Sequence, residues 1–152
     1  MHLFRITRKK YAGDLSGEGA RIYGGRWNRK GVSVIYTSGH ESLAALEVLT
    51  HTSIADIPKD LEMLVLFVPD DIRCEEVSAE DLPENWRVYP APQHLAEIGI
   101  KWALYKNSLL LKVPSVIIPT EFNYLINPIH PDFSKVSIKE IRAFSFDDRL
   151  RE

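Results

Sequence analysis

Glu47 is out of place in its surroundings. It sits in Ser-Leu-Ala-Ala-Leu-Glu-Val-Leu-Thr, residues 42–50, a run with no other charge. Leu43 lies four positions before it and Leu46 beside it, so on a helix the carboxylate shares the face that should be buried. A buried carboxylate must be paired, hydrogen-bonded or neutralised, because an isolated buried charge costs more than a fold can spare. Ionisable groups held at such cost concentrate at functional sites. The bland reading is a helix rolled so that Glu47 reaches solvent. Arg26 lies in Gly24-Gly25-Arg26-Trp27-Asn28. Two glycines allow close backbone approach, and a guanidinium can grip phosphate or carboxylate with two parallel bonds. Otherwise it is a surface loop arginine. Tyr36 ends an apolar stretch just ahead of the Glu47 segment, and alone it reads as a core tyrosine with its hydroxyl satisfied. Ser115 follows Pro114 among Leu, Val and Ile, and alone it reads as a buried serine bonded to backbone.

Other chemistries find little support. The five histidines, His2, His40, His51, His94 and His130, show no close metal-ligand pairing, so no metal site is expected. Gly17-Glu18-Gly19-Ala20 lacks the glycine-lysine ending of a phosphate loop. No serine is flanked by glycines as in a nucleophile elbow, and no spacing pairs Ser115 with a histidine.

The elements that must position these residues read as mixed α and β within one domain, residues 1–152. The chain has no repeat, low-complexity tract or linker. Residues 3–7 alternate as a strand. Residues 12–31 hold six of the eight glycines and read as a long functional loop. A strand follows at 32–37. Ser38 with Glu41 fits a capping box opening a helix to about His51. Residues 61–68 read as a strand buried on both faces. The acidic, proline-punctuated stretch 69–92 holds a short strand near 73–77. Leu95, Ile98, Trp102 and Tyr105 recur at helical spacing within 93–106. A second buried strand spans 109–118, interrupted by Pro114. Asn127-Pro128 and His130-Pro131 mark 123–133 as irregular, and 136–146 closes as a strand.

At 152 residues and 17.4 kDa, with 45% hydrophobic and 26% charged residues, the chain can bury a core without staples. The single cysteine, Cys74, excludes an internal disulfide and a thiolate metal cluster and suits a reducing compartment. Residues 1–11 do not read as a secretory signal, and the apolar runs 64–68 and 116–118 are too short to span a bilayer. The expected address is the cytoplasm, without membrane association. The net charge of −2 is unevenly spread. Residues 1–31 carry eight Lys/Arg against two Asp/Glu, residues 32–100 three against thirteen, and residues 101–152 eight against six. The basic first fifth either holds a phosphate-bearing ligand or is simply solvated. The overall acidic balance disfavours nucleic-acid binding.

Taken in order, several motifs resemble the RES domain family, named for an arginine, a glutamate and a serine. They are Gly-Gly-Arg-Trp-Asn (24–28), Gly31, Ile35-Tyr36-Thr37, Leu43-Ala44-Ala45-Leu46-Glu47, Val113-Pro114-Ser115, Glu121-Phe122-Asn123, Asn127-Pro128 and His130-Pro131-Asp132-Phe133. Leu3-Phe4-Arg5-Ile6 and Gly17-Glu18-Gly19-Ala20 also resemble its start. The likeness is dense at 3–51 and 109–133 and weak at 69–92.

The resemblance implies a fold similar to ADP-ribosyltransferases and an NAD-degrading toxin of a bacterial toxin–antitoxin pair, an NAD glycohydrolase with water as acceptor or an NAD phosphorylase with phosphate. NAD would be a substrate, with no further cofactor. The partner would be an Xre-type antitoxin with a helix-turn-helix domain that blocks the site, and any oligomer would form through that complex. On this reading Arg26, Tyr36, Glu47 and Ser115 form the catalytic site. Arg26 would neutralise the pyrophosphate, Tyr36 would face nicotinamide or ribose, and Ser115 would bond ribose or carboxamide. Asn123 would line the pocket or cap a turn, as would His130. Glu47 would stabilise an oxocarbenium-like cation, hold a ribose hydroxyl or orient the attacking water. Nicotinamide leaves neutral and needs no general acid. Transfer of ADP-ribose to a macromolecule is an alternative with the same residues, and so is a non-catalytic ligand-binding domain.

Overall fold

The computed structural model describes residues 1–151. Seven strands form a single sheet: β1 (His2–Arg8), β2 (Ile35–Ser38), β3 (Leu61–Phe67), β4 (Cys74–Glu76), β5 (Leu110–Pro114), β6 (Phe122–Ile126) and β7 (Ser137–Phe144). Their order is β4-β5-β6-β2-β1-β3-β7. All neighbours are antiparallel except β4 and β5, which are parallel. Three helices complete the fold: α1 (Glu18–Tyr23), α2 (Glu41–His51) and α3 (Gln93–Tyr105). Among the described residues no helix is long and apolar enough to cross a membrane.

Strand alternation divides the core in two. Val34, Leu111, Val113 and Leu125 face Trp27, Trp86 and the Leu95, Trp102 and Ala103 side of α3. On the other side Ile35, Leu110 and Ile126 join Leu3, Leu64, Leu66 and Leu109. As the nearly continuous apolar run required, β3 is buried on both faces, with Met63, Leu64 and Leu66 all sealed from solvent. Meanwhile α2 buries Leu43 and Ala44, and it lays Ala45, Val48 and Leu49 against Ile6, Leu61 and Phe144.

The sheet has one weak seam. β1 pairs with β3 along its whole length but meets β2 only at Phe4↔Ser38. Where these central strands part, side chains from both can face a shared space beneath α2.

The glycine-rich stretch is more structured than expected, because α1 forms inside it. β6 also runs through the segment read as irregular. The stretch expected to be one long strand ends at Pro114, after which the chain turns at Ser115. Finally, α2 starts at Glu41 with no side-chain cap. Ser38 stays in β2, where its hydroxyl donates instead to Asn123 Oδ1 at 2.7 Å.

Candidate active site

Beside the parted strands lies a cavity of about 730 Å³, bounded largely by the glycine-rich segment 17–27 and within the range of small-molecule sites. Arg26, Tyr36, Glu47 and Asn123 all line it, with Arg5 from β1 and Arg87 and Tyr89 from the stretch before α3. A neighbouring cavity of about 300 Å³ shares Arg5, Tyr36, Glu47, His51 and Asn123. Ser115 is fully buried behind this wall and reaches Glu47 through its hydroxyl.

The loop carrying Arg26 is built from inside. Asn28, 2% exposed, donates from Nδ2 to the carbonyls of Ala20, Arg29 and Val32. Its Oδ1 accepts from the Tyr36 hydroxyl at 2.6 Å, and that hydroxyl accepts from the Trp27 amide at 3.1 Å. Burial pushes the Tyr36 hydroxyl well above its ordinary pKa, so it stays a donor. Gly25 is required by this contact, since a Cβ there would come within 2.6 Å of the Tyr36 oxygen. Gly99 of α3 is required by the next one: a Cβ would stand 1.8 Å from the Trp27 carbonyl oxygen. The loop is thus pressed between β2 and α3.

Arg26 does not point a free fork into the cavity. Its Nη1 donates to the Trp86 carbonyl at 2.8 Å, and both terminal nitrogens donate to the Val88 carbonyl at 3.2 Å. It pins residues 86–89 as a strap across the cavity. Arg87 Nε holds the same strap to the Val116 carbonyl at 2.9 Å. Tyr89, on the strap, is 88% exposed while lining the cavity.

Glu47 is half-buried on the flank of α2. Its Oε1 accepts from Asn123 Nδ2 at 2.6 Å and from Ser115 Oγ at 3.4 Å. Ser115 Oγ in turn accepts from the Ile117 and Ile118 amides. Oε2 has no protein donor among the described residues, and no cation lies within ion-pair distance of the carboxylate. Arg26 is still close enough to feel its charge.

Arg5 is the residue the sequence did not single out. Burial lowers its pKa, and its one hydrogen bond is a long 3.5 Å contact to the Asp14 carbonyl. A guanidinium keeps its charge regardless; the Asp14 carboxylate is near enough to act on it but forms no ion pair among the described residues, so Arg5 lines both cavities without a direct countercharge. Of the other early cations, Arg8, Arg21 and Arg29 are neutralised at the surface by Asp60, Glu18 and Glu97. His130 caps a turn by accepting from the Asp132 amide. Among the described residues no group of three His, Cys, Asp or Glu could hold a metal ion.

The cavity is lined by one carboxylate, Glu47, and three guanidinium groups, Arg5, Arg26 and Arg87, with an exposed aromatic ring on the strap. That suits an anionic ligand in which positive charge develops. A RES domain model matches residues 2–147. Over 146 residues the chain is 38% identical to "Prs ADP-ribosylating toxin" of Sphingobium sp., covering 95% of this chain and 91% of that one. Over 153 residues it is 39% identical to "Toxin Res" of Yersinia enterocolitica, covering 99% and 100%. In fold it is similar to a chain of the crystal structure of the M. tuberculosis MbcT-MbcA toxin–antitoxin complex, with a TM-score of 0.78 at 16% identity, over 95% of this chain and 84% of that one.

Proposed function

The chain belongs to the RES domain family, and from that premise we propose that it is the toxin of a toxin–antitoxin pair that cleaves NAD at the nicotinamide–ribose bond. The observation carrying this reading is the Glu47 carboxylate, tied at one oxygen by neutral donors and open at the other to a cavity that also holds Arg5. A carboxylate held by neutral donors keeps its negative charge for a developing cation, whereas one locked in a salt bridge spends it.

The chemistry follows from that oxygen. The C1′–N1 bond breaks and its electron pair goes to the nicotinamide nitrogen, which leaves neutral. Positive charge appears at C1′ and O4′, where Glu47 Oε2 stabilises it. An acceptor oxygen then bonds to C1′ and loses its proton; with water the products are ADP-ribose, nicotinamide and H⁺. Arg5, with few protein partners, meets the pyrophosphate. The fixed strap supplies Tyr89 as a flat surface for a substrate ring. Tyr36 and Ser115 act through the scaffold, because their hydroxyls are already engaged with protein.

A second acceptor is favoured by two observations. One relative is named as an ADP-ribosylating toxin, and the smaller cavity gives an acceptor a separate approach to Glu47. The partner we propose is an Xre-type antitoxin that covers the strap side of the cavity, where Val88 and Tyr89 are exposed. The test is incubation with NAD labelled in the ADP-ribose half, with and without phosphate and with a cell extract. Free ADP-ribose indicates water as acceptor, ADP-ribose 1″-phosphate indicates phosphate, and labelled macromolecule indicates transfer. No nicotinamide release under any condition refutes the proposal.

A further inference from the structure

A chain of hydrogen bonds runs behind Glu47, and its direction is determined by chemistry. An ionised carboxylate only accepts, so the Asn123 amide must turn Nδ2 toward Glu47 Oε1, at 2.6 Å. Oδ1 then faces Ser38, whose hydroxyl must donate, at 2.7 Å. Ser38 is 4% exposed, and it is the direct cross-strand neighbour of Asn123 in the β2–β6 ladder. On its other side Asn123 pairs with Val113 of β5, two residues before Ser115. Asn123 is therefore carried by a strand paired on both edges, and its amide is used at both ends. The two donors to Glu47 come from β6 and from the turn after β5, so the sheet itself aims a carboxylate that belongs to a helix.

We propose that Ser38 and Asn123 are positioning residues that hold the Glu47 carboxylate in one rotamer with Oε2 toward the substrate. The proposal rests on the reading of Glu47 as the carboxylate that faces the reacting carbon. Asn123 is suited to the task because it gives Glu47 a strong donor without a countercharge; a lysine or arginine there would neutralise the group. Glutamine would place the amide one methylene too far along. Aspartate would put a second acceptor against Oε1, so the two oxygens would have to share a proton. The other titratable groups around Glu47 are Arg5 from β1, Tyr36 from β2, Arg26 from the loop before it, Arg87 from the strap and His51 one turn further along α2. None of them hydrogen-bonds the carboxylate in this structure, so its nearest protonic partner is the Asn123 amide.

The experiment uses the full chain with Asn123→Asp and Ser38→Ala, each checked for folding by thermal melting. One readout is independent of activity: the pH titration of the Glu47 side-chain carboxyl carbon by NMR in ¹³C-glutamate protein, assigned with Glu47→Gln. The other is the pH dependence of kcat for NAD. In Asn123→Asp the Glu47 midpoint should rise by more than one pH unit, and the acid limb of kcat should move up with it while KM changes less than threefold. Ser38→Ala should lower kcat several-fold with KM unchanged and move the limb much less. An unchanged Glu47 midpoint in folded Asn123→Asp overturns the proposal. So does normal kcat in both variants. If the wild-type chain releases no nicotinamide but the midpoint still rises, the NAD reading fails while the hydrogen-bonded placement of Glu47 stands.

Discussion

At the residue scale, Arg5 and Arg26 look alike in composition and differ in their surroundings. Arg5 has one long hydrogen bond and faces the cavity, whereas the terminal nitrogens of Arg26 are occupied by two backbone carbonyls. Arg5→Ala should therefore remove a charge-assisted bond to substrate of about 1.5–3 kcal/mol and raise KM for NAD tenfold or more. Arg5→Lys should recover only part of it, because an ammonium cannot make two parallel bonds. Steady-state kinetics against NAD concentration checks both, and an unaltered KM in Arg5→Ala would remove Arg5 from the binding site. Tyr36 gives a prediction in pH. Its folded pKa is raised above the ordinary value of 10.0 by burial. The stability this represents is complete below pH 10, where the unfolded chain is also protonated, and is lost as pH rises beyond it. Tyr36→Phe should cost about 1–2 kcal/mol near pH 8 through lost hydrogen bonds to Asn28 and Trp27, yet show a shallower loss of stability above pH 10. Urea unfolding at pH 8, 10 and 11 measures it; parallel slopes for the two proteins would contradict the assignment.

At the scale of elements, the strap over the cavity depends on Arg26. Arg26→Ala should speed amide hydrogen exchange at residues 86–89 and raise KM through displaced Arg87 and Tyr89, with β3 and β5 exchanging as before. Exchange at the strap equal to wild type would show that it stands without Arg26. This role was not legible in the sequence, where Arg26 invited a phosphate contact. Its partners are main-chain oxygens some sixty positions away, and the segment 69–92 offered no pattern to place them. Glu47 stood out as the one carboxylate in an apolar helical run, and the structure places it on the cavity wall, half-buried rather than fully inside. Arg5 did not stand out, since it is one of four cations in the first ten residues and strand alternation alone allowed it to face solvent. Ser38 was read as a cap from its spacing to Glu41, and a cross-strand amide 85 positions away won that hydroxyl instead. β6 was missed for a related reason. The Asn-Pro and His-Pro turns just beyond it dominated the local signal, while its stability comes from pairing with β2 and β5 on either side. The buried strand β3 and helix α3 were readable because their apolar patterns are local and long.

For the whole molecule, the opening between β1 and β2 lines the smaller cavity, and the larger one adjoins it through the shared Arg5, Tyr36, Glu47, His51 and Asn123. The sheet is continuous but pinned at that seam by one residue pair, and α2 and the 24–27 loop both line the larger cavity. Production of the chain without its partner should deplete cellular NAD and arrest growth, and Glu47→Gln should do neither at equal protein level. Unchanged NAD in cells holding folded wild-type protein would count against the toxin reading. The most direct test compares nicotinamide release and melting temperature for wild type and Glu47→Gln on one preparation each. Glutamine keeps the shape and removes the charge. On the proposed mechanism Oε2 acts mainly in the transition state, so turnover should fall by roughly a hundredfold or more, about 2.7 kcal/mol, with little change in KM. Melting temperature should hold or rise, since a half-buried charge without an ion pair is a cost to the fold. A clear drop in melting temperature with near-normal turnover per folded molecule would instead make Glu47 a structural group and contradict the account.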